Sequence, residues 1–142
     1  MPDLAERCKE LVTELDIGAA RDVTEVLPLT GGVASDIAMV ALGERKICIK
    51  FALPQLKVAE EWHAPVRRNA AEYAWLNVAA RIAPETAVKL YGRSETQHGF
   101  AMEFVEGDGV TLWKAELLRG APIGDAPDRV GAMLGRLHAA ST

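Results

Sequence analysis

The sequence has few of the features that mark specialised protein classes. Its 142 residues include only two cysteines, Cys8 and Cys48, which lie far apart and form no Cys-x-x-Cys motif. This usage predicts free thiols in a reducing compartment. No stretch approaches the roughly 18 apolar residues that a membrane span requires, and the acidic start of the chain is not typical of a signal peptide. We therefore expect a cytoplasmic protein that does not associate with membranes.

The sequence also has no excess of positive charge. Sixteen lysines and arginines face 20 aspartates and glutamates, which gives a formal net charge of −4. A protein that binds nucleic acid usually carries a basic surplus to meet the phosphate backbone, so no nucleic-acid partner is expected. Apolar residues make up 49% of the chain and charged residues 25%. These fractions are those of an ordinary globular protein, and they argue against disorder.

Helical periodicity occurs in four parts of the chain. Residues 3–15 predict a first helix with Asp3 and Glu6 as its capping box, packed on the outside of a sheet. Residues 66–82 predict a second helix that is apolar over much of its circumference, as expected between a sheet and another layer. Residues 112–118 form a short amphipathic piece, and residues 128–140 predict a last helix with one apolar stripe. That stripe consists of Val130, Met133, Leu134 and Leu137.

Five segments have the character of β-strands. They span residues 23–29, 37–42, 46–51, 87–91 and 98–105, and Pro28 favours an edge position for the first. In the third segment Ile47, Ile49 and Phe51 alternate with polar neighbours, so Lys50 points away from the main apolar row. The first three strands predict an antiparallel meander, and the whole predicts an α+β fold.

A glycine turn and a lysine are the residues around which this pattern is arranged. Residues 29–35 read LTGGVAS, and Lys50 lies near the end of the second strand segment after this turn. Backbone N–H groups of a glycine turn can approach a phosphate closely because no Cβ intervenes, and a nearby lysine adds positive charge. The alternative is an ordinary hairpin turn at Gly31 and Gly32, with a solvated lysine at the end of a strand.

Glu72, in the middle of the predicted second helix, allows two interpretations. It can pair with Arg68 one helical turn earlier, which contributes only a few tenths of a kcal/mol. It can instead reach Lys50 from behind the sheet and orient that flexible side chain for phosphate binding.

The order of these elements resembles the small lobe of the protein-kinase-like fold. It is more similar to the phosphotransferase enzyme family of small-molecule kinases, the aminoglycoside phosphotransferase and choline kinase group. Three motifs carry the resemblance: the glycine turn at 29–35, the strand ICIK at 47–50, and MEFVEG at 102–107, which looks like the hinge between lobes. The glycine turn departs from the protein-kinase pattern G-x-G-x-x-G, which favours the small-molecule branch. The segments AEYAWL at 71–76 and LGRLH at 134–138 add support.

The resemblance implies roles in binding ATP. Gly31, Gly32 and Ser35 would cover the phosphates, Lys50 would contact the α- and β-phosphates, and Glu72 would hold Lys50. Mg²⁺ would accompany the nucleotide.

At the hinge, the backbone of Glu103 would accept a hydrogen bond from adenine and that of Val105 would donate one, because an extended strand presents unused donors and acceptors. Met102 would border the adenine pocket. For Phe100, Met102 and Phe104 the alternative is a core stripe at strand spacing.

The family's catalytic loop, His-Gly-Asp-x-x-x-x-Asn, does not occur in these 142 residues. The two asparagines, Asn69 and Asn77, are preceded five positions earlier by Ala64 and Glu72. Hence no catalytic or metal-binding residue is predicted here. We expect a nucleotide-binding lobe with hinge over 1–107 and the beginning of a second lobe over 108–142, either as a fragment of a longer kinase or as a truncated relative.

Three hypotheses about function remain open. The first is an ATP-dependent transfer of phosphate to a hydroxyl group of a small molecule, an aminoglycoside-like antibiotic or a metabolite, with the fragment itself inactive. The second is a non-catalytic module that binds nucleotide or a partner, and the third is an unrelated α+β binding domain. Under either of the first two, the apolar stripe of the last helix, with Trp113, Leu117 and Leu118, predicts self-association or a partner.

Overall fold

The computed structural model describes residues 2–142 and has, over that range, an α+β fold with an open five-stranded antiparallel sheet and four α-helices. The strand order is β1-β2-β3-β5-β4. The strands are β1 (Val23–Pro28), β2 (Ser35–Leu42), β3 (Arg45–Ala52), β4 (Leu90–Ser94) and β5 (Gly99–Glu103). The helices are α1 (Leu4–Glu14), α2 (Arg68–Ile82), α3 (Trp113–Arg119) and α4 (Ala126–Ala140).

Helix α1 confirms its sequence signals. The Asp3 carboxylate accepts a hydrogen bond from the Glu6 N–H at 2.8 Å, and the Glu6 carboxylate accepts one from the Asp3 N–H at 3.1 Å. This reciprocal box satisfies two N–H groups that the helix leaves unpaired. Cys8, Leu11 and Val12 are fully buried along one face. Helix α1 therefore packs on the sheet through that face, as predicted.

The main core lies between α1 and one face of the central strands. The strand side chains on this face alternate along β3, where Ile47, Ile49 and Phe51 are fully buried. The guanidinium of Arg7 covers the Phe51 ring, 4.1 Å from its centre. The buried cluster consists of Cys8, Leu11, Val12, Ala38, Val40, Leu42, Ile47, Ile49, Phe51 and Ala101. Both cysteines are free, as the sequence predicted, and both are buried.

Strand β1 occupies one edge of the sheet. Pro28 lacks an N–H, and an edge strand tolerates this because one of its sides does not pair with another strand. At the other edge, the bounds of β4 differ from their prediction. Strand β4 spans Leu90–Ser94 rather than 87–91, and the register shifts between Leu90 and Gly92. Gly92 has φ +141° and lies against Leu15, so a bulge continues the strand past the point where the sequence predicted a turn.

Helix α2 and strand β5 also differ from their predictions. Within residues 2–142, Asn69 is the only buried residue of α2 and Trp75 is exposed, so much of the helix surface is open to solvent apart from its contact with α4. Strand β5 ends at Glu103, which leaves Phe104 and Val105 outside it. Of the predicted stripe on β5, Phe100 is fully buried against Tyr73, with the ring centres 5.4 Å apart, and Met102 is half-buried.

Helix α4 begins two residues before its predicted start, and Pro127 lies in its first turn, where its missing N–H leaves no donor unpaired. The Arg136 guanidinium binds the Glu85 carboxylate and donates to the Ile82 carbonyl at 3.3 Å, which joins α4 to the end of α2. Leu137 is buried at this contact, whereas Leu134 is exposed. Among the helices of residues 2–142, none has the length and apolar character needed to cross a membrane.

Candidate functional site

The loop of residues 29–34, called here the glycine loop, connects β1 to β2. Its stem is closed by the Leu29 N–H, which donates to the Ile37 carbonyl at 2.8 Å. Gly31 has φ +98°, a conformation that side chains with a Cβ rarely adopt. A Cβ on Gly32 would lie 2.9 Å from the carbonyl oxygen of Ser35. Both glycines are thus required by the shape of the backbone.

The glycine loop is attached to the chain that follows β3. The Ala34 carbonyl accepts hydrogen bonds from the Leu53 N–H at 3.0 Å and from the guanidinium of Arg68. The Val33 carbonyl accepts one from the Lys57 N–H at 2.6 Å. These contacts fix the far side of the loop, whereas Gly31 remains exposed and has no atom near the position of a Cβ.

Lys50 and Glu72 form the central contact of the candidate site. The Lys50 Nζ lies 2.5 Å from the Glu72 Oε1, with 21% and 40% of the two side chains exposed. Of the two interpretations of Glu72, the structure has the pair with Lys50, because the guanidinium of Arg68 donates to backbone carbonyls instead. The remaining N–H groups of the Lys50 ammonium are free to meet a ligand, since an ammonium has three donors.

Strand register shows which side chains share a face with Lys50. In the pairing of β2 with β3, Ile37 lies opposite Lys50 and Ser35 lies opposite Ala52. Since side chains two residues apart point to the same side, Ser35 is a diagonal neighbour of Lys50 on the face covered by α2. The buried Ser35 begins β2 directly after the glycine loop. The loop, Ser35 and Lys50 therefore lie at one end of the sheet.

The same face continues toward the predicted hinge. Cys48 lies opposite Met39 on β2 and opposite Met102 on β5. Leu27 on β1 lies opposite Met39 and is exposed. The register thus places an apolar and partly accessible row about 7 Å, two strand residues, from Lys50 along β3. Alternation along the sequence was enough to assign Cys48 to this face. Leu27 and Met39 could be assigned to it only once the pairing of β1, β2 and β3 was known.

The predicted hinge residues differ in how their backbone groups are used. The Glu103 N–H donates to the Lys89 carbonyl at 2.8 Å, and the Glu103 carboxylate accepts from the Lys89 N–H at 3.0 Å. The expectation that nothing uses the backbone donors of this segment is therefore wrong for Glu103. Val105 is exposed, and within residues 2–142 no backbone carbonyl accepts a hydrogen bond from its N–H.

Burial changes the acidity of both thiols. It raises the pKa of Cys8 to about 12 in the closed core beneath α1. Burial also raises the pKa of Cys48, and the positive charge of Lys50 opposes this shift. Both thiols are therefore protonated and poorly nucleophilic near neutral pH.

Other chemistry-bearing groups do not gather into a second site. No cluster of three or more His, Cys, Asp or Glu side chains suitable for a metal ion occurs in the described part of the chain. His63 is exposed and contacts Glu61 at 3.0 Å. A cavity of about 800 Å³ lies away from Lys50, between residues 84–86, α3 and α4, and Trp113, Met133 and Arg136 are among its lining residues.

A scan of the sequence against models of protein families finds no match, and a search of curated proteins finds none either. The assignment of a function therefore depends on the motifs and on the geometry of the face that carries Lys50.

Proposed function

We propose that this chain binds ATP, as the nucleotide-binding part of a phosphotransferase that acts on a hydroxyl group of a small molecule. The proposed fold is a protein-kinase-like small lobe over 1–107 with the beginning of a second lobe over 108–142. The proposed relatives are the aminoglycoside phosphotransferase and choline kinase group, so an aminoglycoside-like antibiotic or a metabolite is the acceptor class. When bound, ATP supplies the phosphoryl group for transfer.

The ion pair between Lys50 and Glu72 is the observation that carries this proposal. A free lysine would lose the freedom of four rotatable bonds on binding a phosphate, whereas Glu72 holds the ammonium in place beforehand. The pair is too exposed to contribute much to folding, because solvent screens it. A half-buried lysine held in this way, next to a glycine loop, is better explained by a ligand than by stability.

The glycine loop and Ser35 would surround the phosphates from the other side. The exposed Gly31 allows a phosphate to approach the backbone, and the Ser35 hydroxyl stands on the same face as Lys50. A side chain at Gly32 would collide with the Ser35 carbonyl, so the cradle depends on glycine there. Anions are commonly bound by such successive backbone N–H groups.

The base of the nucleotide would lie on the row formed by Leu27, Met39, Cys48 and Met102. The free Val105 N–H would donate to the adenine ring, and the Glu103 carbonyl would accept from it. The separation between Cys48 and Lys50 along β3 leaves room for a sugar between base and phosphates. No residue of this chain is assigned to Mg²⁺ or to the transfer step; catalytic and metal-binding aspartates would belong to further sequence of the same protein.

Calorimetric titration of the chain with ATP and Mg²⁺ tests the proposal. We expect saturable binding with one nucleotide per chain and competition by ADP. A matched titration of the Lys50→Ala variant should show no measurable heat at the same concentrations. Failure of the unsubstituted chain to bind ATP would overturn the proposal, and sequencing of the gene beyond codon 142 would then be the way to look for another function.

Self-association is a second proposed property, favoured by the apolar surface of α3 and its surroundings. Leu112, Leu117 and Leu118 are 71%, 51% and 80% exposed, and an exposed apolar surface of this kind usually marks a contact. Light scattering of the chain at tens of micromolar should show species larger than a monomer, and Leu118→Lys should shift them toward monomer. A monodisperse monomer would refute this property without affecting ATP binding.

A further inference from the structure

The side chain of Arg68 connects three segments that carry the proposed phosphate-binding residues. Its Nη1 donates to the carbonyls of Ala64 and Pro65 at 3.2 and 3.0 Å. Its Nη2 donates to the Leu53 carbonyl at 2.8 Å and to the Ala34 carbonyl. One guanidinium therefore satisfies four carbonyl groups that belong to the glycine loop, to the exit of β3 and to the entry of α2.

Each of these segments holds one part of the candidate site. Ala34 directly precedes Ser35, and Leu53 follows Lys50 by three residues. Arg68 itself begins α2 and lies one helical turn before Glu72. The contacts of Arg68 thus fix the glycine loop, the lysine strand and the glutamate helix relative to one another.

We propose that Arg68 is a positioning residue that holds the glycine loop in place for phosphate binding, an inference that depends on the proposed ATP-binding function. The planar guanidinium presents several N–H donors in fixed directions, whereas the ammonium of a lysine is a compact point charge. The five N–H donors of a guanidinium can meet these four carbonyls at once, whereas an ammonium has only three donors. Gly31 has no packing neighbour, so without Arg68 the loop would be held only by its stem and by the N–H groups of Leu53 and Lys57, and it would be less well ordered.

A loop that moves more must be ordered when phosphate binds, and this cost appears as lost affinity. The effect is confined to ligands that contact the loop. ATP affinity should therefore fall when Arg68 is replaced, whereas the affinity for adenosine, which has no phosphates, should remain. A residue needed only for folding would lower both affinities together.

The test compares Arg68→Gln and Arg68→Lys with Arg67→Gln, a substitution of the exposed neighbouring arginine. Titration with ATP and Mg²⁺ should show a dissociation constant about tenfold higher for Arg68→Gln. For adenosine the change should stay within about twofold, and Arg67→Gln should change neither value. Arg68→Lys should lie between the two, because it keeps the charge but not the fork of donors.

Hydrogen exchange without nucleotide gives an independent readout. The amides of Leu53 and Lys57 bond to carbonyls of the glycine loop, so their exchange should accelerate by about tenfold in Arg68→Gln. Exchange of the core amide of Ile49 should be unchanged. If Arg68→Gln does not fold, Arg68→Lys carries the same two measurements.

Unchanged ATP affinity in Arg68→Gln, an equal loss for ATP and adenosine, or full recovery in Arg68→Lys would each overturn the role of Arg68. If the unsubstituted chain does not bind ATP, the proposed function fails, and the phosphate role of Arg68 fails with it. The titration of the unsubstituted chain therefore separates the two failures.

Discussion

The two faces of the sheet differ in how completely they are covered. Beneath α1, the side chains of Ile47, Ile49 and Phe51 have no exposed surface. On the opposite face, Lys50 and Glu72 keep 21% and 40% of their side chains in contact with solvent. A single strand, β3, supplies both faces through alternate residues.

Under the proposed function, the two faces would serve stability and ligand binding, respectively. The side chains of the closed face are fully buried among apolar neighbours, with the Arg7 guanidinium over the Phe51 ring, so this face stabilises the fold. The partly open face has an oriented charge and accessible backbone groups. Substitutions one residue apart on β3 should therefore have effects of different kinds.

The largest expected effect is on the closed face. Phe51→Ala should lower the free energy of unfolding by about 4 kcal/mol, because it removes a buried ring and leaves a cavity. The ring also packs directly over Gly99, which has no Cβ to fill the space. Urea denaturation measures this change. A loss below about 1 kcal/mol would mean that this face is not the core.

Lys50→Ala, on the other face, should weaken ATP binding by about 100-fold, which corresponds to nearly 3 kcal/mol. The substitution removes charged hydrogen bonds to two phosphates. Lys46→Ala is the matched control, because Lys46 lies on the same face of β3 but pairs with Glu106 at 3.1 Å, away from the glycine loop. Calorimetry should show unchanged binding for this control. Equal losses in both variants would indicate only a general effect of charge.

Glu72→Gln should weaken ATP binding by about tenfold, because the neutral amide no longer holds the ammonium. The melting temperature should change by less than about 2 °C, since a partly exposed ion pair contributes little to stability. Thermal unfolding followed by circular dichroism measures the latter. A large drop in melting temperature would show that Glu72 is a structural residue and would remove its proposed role.

Alkylation of the two thiols should show the smallest difference between the two faces. Cys8 lies in the closed core and Cys48 on the Lys50 face, so alkylation in the folded state should proceed faster at Cys48. ATP should slow alkylation of Cys48 by about tenfold, and mass spectrometry can assign the site. Equal protection of both thiols would mean that ATP acts through overall stability rather than by covering one face.

The pKa of Cys8 also predicts a dependence on pH. The folded value of about 12 exceeds the ordinary 9.0, so the unfolded chain loses the thiol proton first. Stability should therefore be retained below pH 9 and fall as the pH rises from there toward 12. Cys8→Ala should reduce this fall, although it also lowers stability by creating a small cavity.

Local signals predicted the parts of the fold that depend on neighbouring residues. The capping box at Asp3 and the alternation around Lys50 act over a few positions, and both predictions were confirmed. Strand β4 was misplaced because its register shift arises in the pairing with β5, and Gly92 at this shift lies against Leu15, far away in sequence. A pattern of apolar residues cannot reveal such a contact.

The residues of the candidate site, like the fold, were predicted where the signal was local and missed where it depended on distant contacts. Strand and helix periodicity allowed Glu72 to pair with Lys50, 22 residues away, but Arg68, only four residues away, was a competing partner. The carbonyls that occupy Arg68 come together only in the folded chain, so no sequence signal could decide between the two. The roles of Ser35, Met102 and Val105 in binding a nucleotide stay predictions until ATP binding is measured.

Both edges of the sheet carry an irregularity, and this limits how the chain can aggregate. The register of β1 shifts between Val23 and Glu25, and that of β4 shifts between Leu90 and Gly92. Bulged edges, together with Pro28, resist the addition of a strand from another molecule. Association through the exposed leucines of α3 should therefore produce discrete, reversible complexes, and fibrils built by continuation of the sheet are disfavoured.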